Sequence, residues 1–254
     1  MNGSPAGMEI RGFLKNIFFR FIQPQMPFRI LWGLGTSPTS ILTKFLVRSE
    51  AWIEIRNTNL ALEPERKKAL QNLCTIPKMS TYAIGSIVNF ITAQLKPDHA
   101  FVNVGVWHGF TFLSGVLNNP QKRCVGVDNF SEFTGPKDAF MRLFDEYKSS
   151  SHEFYEMDYR RYFQEKHSGP IGFYIYDGNH SYENQMKGLE VAEPFFAPGC
   201  VVLVDDTNIE AVHRATMDFI ARRAGKYAVL LDQKTRCNAH PTFWNGIIVF
   251  QKTA

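Results

Sequence analysis

Apolar and polar positions change their spacing along the chain and separate it into two regions. From residue 101 to the C-terminus, short apolar runs alternate with amphipathic stretches. The predicted strands are 101–106, 123–130, 152–158, 171–177, 200–206, 227–233 and 244–252. The predicted helices are 111–117, 137–148, a segment ending at 166, 182–196 and 210–223. This alternation is typical of a parallel sheet covered on both faces. A connecting loop with a tight Asn-Gly step predicts that the last two strands form an antiparallel edge pair.

The region before residue 80 has helical patterns only. Apolar residues recur at helical spacing over 8–22, with Arg11 and Lys15 on the other side. Such a basic amphipathic helix can pack on its own domain, pack on a second subunit or lie on a membrane surface. Ser80 is predicted as the N-cap of a helix that continues to Lys96. Two further helices are predicted over 40–55 and 63–74.

Charge and cysteine content exclude several classes of protein. The 254 residues include 28 basic and 24 acidic ones, a net charge of +4 that is too even to indicate a nucleic-acid partner. The four cysteines form no CxxC pair and no zinc-finger spacing, which favours a reducing, cytoplasmic location. No apolar stretch reaches the roughly 18 residues that span a bilayer. Lys15 and Arg20 interrupt the N-terminal apolar region, which argues against a cleaved signal.

Glycines and acids follow the first three predicted strands. Gly105 and Gly109 would let the chain turn sharply and approach a nucleotide before the helix begins. Asp128 ends the second strand, where an acid can accept hydrogen bonds from both ribose hydroxyls. Asp158 ends the third strand, where an adenine amino group would lie. The alternatives are that the glycines form a turn without a ligand and that the two acids are only solvated. The three consecutive strand ends together favour a nucleotide-like cofactor. Because the third glycine of GxGxxG is missing, nicotinamide fits poorly.

The highest concentration of acidic and other reactive side chains follows the fourth and fifth predicted strands. Asp177 opens the segment DGNHSYE, and Asp205 and Asp206 end the next strand. Neighbouring parallel strands lie about 5 Å apart, so these carboxylates converge at one rim of the sheet. A hard divalent cation such as Mg²⁺ would relieve their repulsion; the alternative is that Asp205 and Asp206 only cap the following helix. His180, three residues after Asp177, would face the same cavity and has a pKa suited to removing a proton at neutral pH.

Together these residues resemble the class I S-adenosylmethionine-dependent methyltransferases. The resemblance is strongest to the macrocin-type sugar O-methyltransferases, with their IDGDHSYE-type motif, and more distant to catechol O-methyltransferase. The segment that carries it is YIYDGNHSYENQMKGLEVAEPFFAPGCVVLVDDTN, within a resemblance over roughly residues 80–252. It implies a Rossmann-like, doubly wound, three-layer α/β/α methyltransferase domain over 80–254. Residues 1–79 would then be a helical extension serving in oligomerisation, as a lid or in surface contact.

The resemblance also implies a role for each matching position. Asp177, Asp205 and Asp206 would hold the metal, and His180, together with Asp177, would form the catalytic set. Cofactor contacts are implied for Asn103, Gly105, Trp107, Gly109, Asp128, Asn129, Asp158 and Asp177. Asn103 departs from the family, which usually has an acidic residue two positions before the glycine.

The resulting hypothesis is an O-methyltransferase that uses S-adenosylmethionine and Mg²⁺ or another divalent cation. It would methylate a hydroxyl of a sugar or natural-product-like small molecule and would form a homo-oligomer. Three alternatives stay open: a metal-independent methyltransferase of a protein or lipid, a non-catalytic binding protein on the same fold, and a nicotinamide-dependent oxidoreductase.

Overall fold

The elements of the chain are seen in a computed structural model that describes residues 9–30, 41–132, 135–223 and 225–253. The helices are α1 (Ile10–Lys15), α2 (Ile41–Asn57), α3 (Pro64–Leu73), α4 (Tyr82–Ala93), α5 (Phe110–Val116), α6 (Lys137–Tyr147), α7 (Tyr159–Glu165), α8 (Tyr182–Ala192) and α9 (Glu210–Ala221). The strands are β1 (Phe18–Phe19), β2 (Thr58–Asn59), β3 (Ala100–Val104), β4 (Arg123–Asp128), β5 (His152–Glu156), β6 (Ile171–Tyr176), β7 (Phe196–Asp205), β8 (Tyr227–Gln233) and β9 (Ile247–Lys252).

Seven strands form one sheet in the order β5-β4-β3-β6-β7-β9-β8. The first five are parallel, while β9 runs antiparallel to both β7 and β8. The predicted parallel sheet with an antiparallel edge pair is therefore confirmed. Strand order reverses between β3 and β6, and open α/β sheets bind ligands beyond the carboxyl ends of the strands at such a point.

Each face of the sheet has its own apolar core, which completes the predicted three layers. On one face, Phe101 and Phe173 pack with apolar residues of α4, α5 and α6. On the other, Val102 and Tyr174 pack with residues of α7, α8 and α9. The inner strands are buried on both sides, which explains why their sequences are continuous apolar runs.

The predicted helix over residues 8–22 is wrong beyond Lys15. Phe18 and Phe19 instead pair antiparallel with Asn59 and Thr58. The side chain of Asn57 explains the change, because its amide oxygen accepts hydrogen bonds from the next backbone N–H groups, those of residues 21 and 22. These bonds replace the partners that a continuing helix would have supplied.

The apolar side of α1 packs on its own domain. Phe13 is buried and stacks on Phe90 of α4 with ring centroids 3.9 Å apart. Of the three roles predicted for this helix, packing on the domain accounts for its apolar side. In the described ranges, every helix is too short or too polar to cross a bilayer.

A buried ion pair ties α2 to the beginning of α4. Lys78 Nζ lies 2.8 Å from Glu54 Oε1, and both side chains are shielded from solvent. The second carboxylate oxygen of Glu54 accepts a hydrogen bond from the backbone N–H of Tyr82. Helix α4 is capped by Thr81 and not by Ser80, because the Thr81 hydroxyl accepts a hydrogen bond from the Ile84 N–H.

Candidate active site at the carboxyl edge of the sheet

A cavity of about 330 Å³ opens at the point where strand order reverses. Its wall is built from the segments that follow β3, β4, β5 and β6. Of the predicted site residues, it contains Gly105, Trp107, Asp128, Asn129, Asp158 and Asp177. The structure therefore brings most of the predicted cofactor contacts to one cavity.

Gly105 allows the segment after β3 to lie directly against the segment after β6. Its φ is +82°, and a Cβ atom there would lie 1.9 Å from the backbone oxygen of Asp177. No L side chain fits in that space or favours that conformation. The glycine therefore sets the close approach of the two loops.

The carboxylate of Asp128 holds this loop in place. One of its oxygens accepts hydrogen bonds from the N–H groups of Val106, at 2.7 Å, and Trp107, at 3.0 Å. The other accepts from the N–H of Phe130 at 2.7 Å. A carboxylate has about four acceptor positions, so Asp128 retains capacity for a ligand hydroxyl in the cavity that it lines.

Asn103 and Gly109 are outside the cavity wall. Asn103 is fully buried in β3; its Nδ2 donates to the Gly105 carbonyl at 2.7 Å, and its Oδ1 has no partner. Gly109 precedes α5 with a φ of +96°, and a Cβ there would lie 2.7 Å from the Phe140 ring. Both residues therefore support the loop that contains Gly105 without lining the cavity.

Asp158 combines a capping role with a place in the cavity. Its Oδ1 accepts from the N–H groups of Arg160, at 2.9 Å, and Arg161, at 3.3 Å, at the beginning of α7. Because Oδ1 makes both of these bonds, Oδ2 can accept a donor from a ligand.

Beside the cavity, two carboxylates surround an imidazole. Ligand-type atoms of Asp177, His180 and Asp206 all lie within 4.8 Å of one another. His180 Nε2 is 3.0 Å from Asp206 Oδ2 and 3.5 Å from Asp177 Oδ1. Even so, this buried nitrogen makes no hydrogen bond of good geometry. An orphaned nitrogen between two acids fits the donor set of a divalent cation.

The charges of this cluster shift its pKa values. Burial favours the neutral imidazole, but the carboxylates of Asp177 and Asp206 outweigh burial and raise the pKa of His180 to about 11. Burial also raises the pKa of Asp177, aided by the charge of Asp206 and opposed by His180. Without a cation the ring is therefore held protonated between the two acids.

Asp205, which was also predicted as a ligand, is not among the three residues whose ligand-type atoms lie within 4.8 Å of one another. It is the last residue of β7 and only 3% exposed. Burial, and then the charges of Asp177 and Asp206, raise its pKa well above the ordinary value. Asp206 instead turns toward His180 because its backbone has left the strand conformation, with a φ of +53°.

Asn245 supports Asp206 and was missed in the sequence analysis. Its amide Nδ2 donates to Asp206 Oδ1, while its Oδ1 accepts from the Ala239 N–H at 2.8 Å. The Asn-Gly step was interpreted only as a turn. Its position just before β9, the antiparallel strand that pairs with β7, was the one signal for this contact.

A chain of polar side chains runs along one wall of the cavity. Arg160 Nη2 donates to Asn184 Oδ1 at 2.9 Å, Asn184 Nδ2 donates to Asn179 Oδ1 at 3.1 Å, and Asn179 Nδ2 donates to Glu132 at 3.3 Å. Arginine only donates and an ionised carboxylate only accepts, so the two ends fix the direction of both amides. We call these four residues the polar belt. Sequence reasoning missed it because its members lie on three separate segments.

Comparison with known proteins agrees with this arrangement. Residues 102–207 match the family model described as a methyltransferase domain. No curated protein sequence matches the chain. The O-methyltransferase TomG from Streptomyces achromogenes, solved with SAM, is 13% identical over 76% of this chain and 92% of its own, with a TM-score of 0.51.

Two other solved structures have the same fold. An O-methyltransferase from Bacillus cereus in complex with SAH is 13% identical, covers 76% of this chain and 92% of its own, and has a TM-score of 0.53. A protein from Corynebacterium glutamicum is 12% identical over 77% of this chain and 93% of its own, with a TM-score of 0.55. The chain therefore has the Rossmann-like fold of these solved structures, and residues 102–207 within it match the methyltransferase domain model.

Proposed function

We propose that this methyltransferase domain transfers a methyl group from S-adenosylmethionine to a hydroxyl oxygen of a small molecule, assisted by a divalent cation. One observation carries the proposal: the Asp177, His180 and Asp206 cluster lies beside a cavity that Asp177 also lines. A methyl donor in the cavity would thus be next to groups able to bind and deprotonate a hydroxyl.

The cavity supplies the contacts that an adenosyl ligand needs. Asp128 offers remaining acceptor positions to the ribose, and Asp158 offers Oδ2 to an amino group such as that of adenine. Gly105 removes the side chain that would fill the space between the loops. The solved O-methyltransferases of the same fold that hold SAM or SAH support this assignment.

Asp177 and Asp206 would hold the cation, and Mg²⁺ suits their oxygen donors. When bound, the cation would supply a Lewis acid that polarises the acceptor hydroxyl. His180 lies between the two carboxylates. With a cation bound there, the added positive charge would lower the pKa of the ring, and neutral His180 would be the group placed to accept the hydroxyl proton. Asp205, buried behind them, would orient the end of β7 rather than bind the cation.

The acceptor class and the assembly are also proposals. The DGNHSYE and VDDT segments favour the macrocin-type branch, and with it a sugar or natural-product-like hydroxyl. We further propose that the protein forms a homo-oligomer. We also propose that it acts in the cytoplasm, because its four cysteines are all free thiols, which suits a reducing compartment.

Calorimetry and a methyl-transfer screen test the proposal. The wild type should bind S-adenosylhomocysteine and transfer labelled methyl groups to a hydroxyl acceptor, and a chelator should stop the transfer. Asp206→Asn should keep the binding but lower turnover about a hundredfold or more. Asp232→Asn is the matched control, because Asp232 also lies beside a histidine, at 3.2 Å from His213, but outside the cavity.

Two results would contradict separate parts of the proposal. If the wild type bound no S-adenosylhomocysteine, the cofactor would be wrong. If turnover survived both the chelator and Asp206→Asn, the cation would have no part in the reaction.

A further inference from the structure

Exposed large apolar side chains are concentrated near the N-terminus. The described residues include six such side chains, and five of them lie between residues 18 and 52. The five are Phe18, Phe21, Met26, Phe45 and Trp52, with exposed fractions from 44% to 66%. Single exposed apolar residues are ordinary, but a concentration of aromatic ones indicates a contact surface.

The exposed charges of the same segment are of one sign. Residues 10–59 contain two acidic residues, Glu50 and Glu54, and both are buried. Glu54 is already paired with Lys78. Six basic residues of the segment are exposed to solvent: Arg11, Lys15, Arg20, Arg29, Arg48 and Arg56. Among the side chains that the structure describes in this segment, the exposed charges are therefore all positive.

Helix α2 places aromatic and basic side chains on one stripe. Phe45, Arg48, Trp52 and Arg56 follow one another at spacings of three and four residues, and all are exposed. The opposite side, including Ala51, is buried. The stripe thus faces away from the protein core.

The strand pair next to α2 continues this surface. Phe18 pairs with Asn59, two residues beyond the helix end, and Arg20 bonds to the Asn59 side chain. Phe21 is held at the same end, since its N–H donates to Asn57. We call the α2 stripe together with Phe18, Arg20 and Phe21 the basic-aromatic surface.

We propose that the basic-aromatic surface binds the protein peripherally to an anionic lipid membrane. Aromatic rings favour the level of the lipid headgroups, and arginines are attracted to anionic lipids. A bilayer also needs no complementary groove. A twofold dimer through this surface would place arginines against arginines, which disfavours a second copy as the occupant. The proposal uses a different surface from α1, whose apolar side is buried, and it is independent of the proposed reaction.

Vesicle sedimentation of the full chain tests the proposal. The protein should bind vesicles of equimolar phosphatidylcholine and phosphatidylserine, bind phosphatidylcholine alone much more weakly, and dissociate as salt screens the charges. Each arginine at an anionic surface contributes about fivefold to partitioning, so Arg48→Gln with Arg56→Gln should weaken binding about 25-fold. Phe45→Ser with Trp52→Ser should weaken it about tenfold or more.

Matched controls separate this surface from net charge and hydrophobicity in general. Lys166→Gln with Lys187→Gln removes two exposed charges elsewhere, and Val229→Ser removes the sixth exposed apolar side chain. Both controls should bind like the wild type. A blue shift of tryptophan emission on adding anionic vesicles, absent in Trp52→Phe, would place the stripe in the lipid.

Three results would overturn the proposal. The first is equal binding to neutral and anionic vesicles, or binding to neither. The second is equal loss in the control and test variants. The third is a stable oligomer in sedimentation that Phe45→Ser with Trp52→Ser dissolves, because a second copy would then occupy the surface. Circular dichroism checks that each variant is folded.

Discussion

At the scale of single residues, Gly105 shows how one missing side chain shapes the site. A methyl group there would lie 1.9 Å from a backbone oxygen, and a backbone atom cannot move aside as the end of a side chain can. Either the loop after β3 or the loop after β6 would have to shift. Both loops line the cavity, so the shift would alter its shape.

We predict that Gly105→Ala destabilises the protein by about 2 kcal/mol or more and abolishes S-adenosylhomocysteine binding. Gly225→Ala is the control. Its φ is +78°, but a Cβ there would meet nothing within 4 Å, so it should cost only about 1 kcal/mol of backbone strain. Urea unfolding and calorimetry measure the two effects. Equal losses in the two variants would show that the close approach to Asp177 is unimportant.

His167 gives a pH prediction at the same scale. Burial, and then the charge of Arg123, lower the pKa of His167 to about 4 in the folded protein. The unfolded chain has an ordinary value of about 6.5, so it takes up a proton first as the pH falls. The stabilisation that neutral His167 contributes is therefore fully present above the unfolded-state pKa, and it is lost as the pH falls from about 6.5 to about 4.

We predict that His167→Gln removes about 2 kcal/mol of the stability loss that the wild type shows between about pH 7.5 and about pH 5. Urea unfolding of both proteins at the two pH values measures the difference. Other buried histidines, such as His152 and His240, keep their contributions in the variant, so a residual pH dependence is expected. An unchanged pH dependence in His167→Gln would contradict the assignment.

At the scale of elements, the sequence predicted the central sheet well and the N-terminal region less well. Apolar runs such as 171–177 identify strands because burial on both faces leaves few positions for polar residues. The end of α1 could not be predicted, because the group that replaces its hydrogen bonds is Asn57, far along the chain. Spacing alone describes only local partners.

The acid cluster shows the same limit. The strand ends predicted that Asp177, Asp205 and Asp206 would meet at one rim, and the charge of Asp206 does contribute to the raised pKa values of Asp177 and Asp205. Which acid faces His180 depends on the backbone turn at Asp206, where φ is positive. A spacing rule does not contain that turn, so it could not separate Asp205 from Asp206.

The polar belt connects the three segments that follow β4, β5 and β6, and gives a prediction at this scale. Asn184, on α8, both donates and accepts within the belt. Its loss would remove one of the partners of Asn179, which lies between Asp177 and His180 in the sequence. We predict that Asn184→Ala lowers the affinity for S-adenosylhomocysteine about tenfold, the equivalent of one charge-assisted hydrogen bond. Calorimetry measures it.

The matched control for the polar belt is Asn72→Ala, an exposed amide on α3 that is outside the cavity wall. It should bind S-adenosylhomocysteine as the wild type does. If Asn184→Ala also left the affinity unchanged, the belt would be a surface network without influence on the cavity.

At the scale of the whole molecule, the described residues before residue 80 share a core with the α/β domain. Phe13, Leu70 and Leu73 belong to the same apolar cluster as Phe101 and Phe173 of the sheet. The buried Glu54–Lys78 pair lies just before Met79, which lines the cavity, and Glu54 also accepts a hydrogen bond from the Tyr82 N–H at the beginning of the domain. We therefore infer that the extension helps to hold the cofactor cavity in shape and does not fold as a separate unit.

Breaking that ion pair should show whether the two regions unfold together. Glu54→Gln leaves the ammonium of Lys78 buried without its counter-charge, which typically costs about 3–5 kcal/mol. Glu54→Leu with Lys78→Met replaces the pair by apolar groups of similar size and should recover most of that loss. In both variants a single calorimetric transition should move as a whole, with S-adenosylhomocysteine raising its midpoint. The contrary result would be two separate transitions, with Glu54→Gln shifting only the transition that S-adenosylhomocysteine does not stabilise. That result would show that the extension is an independent unit.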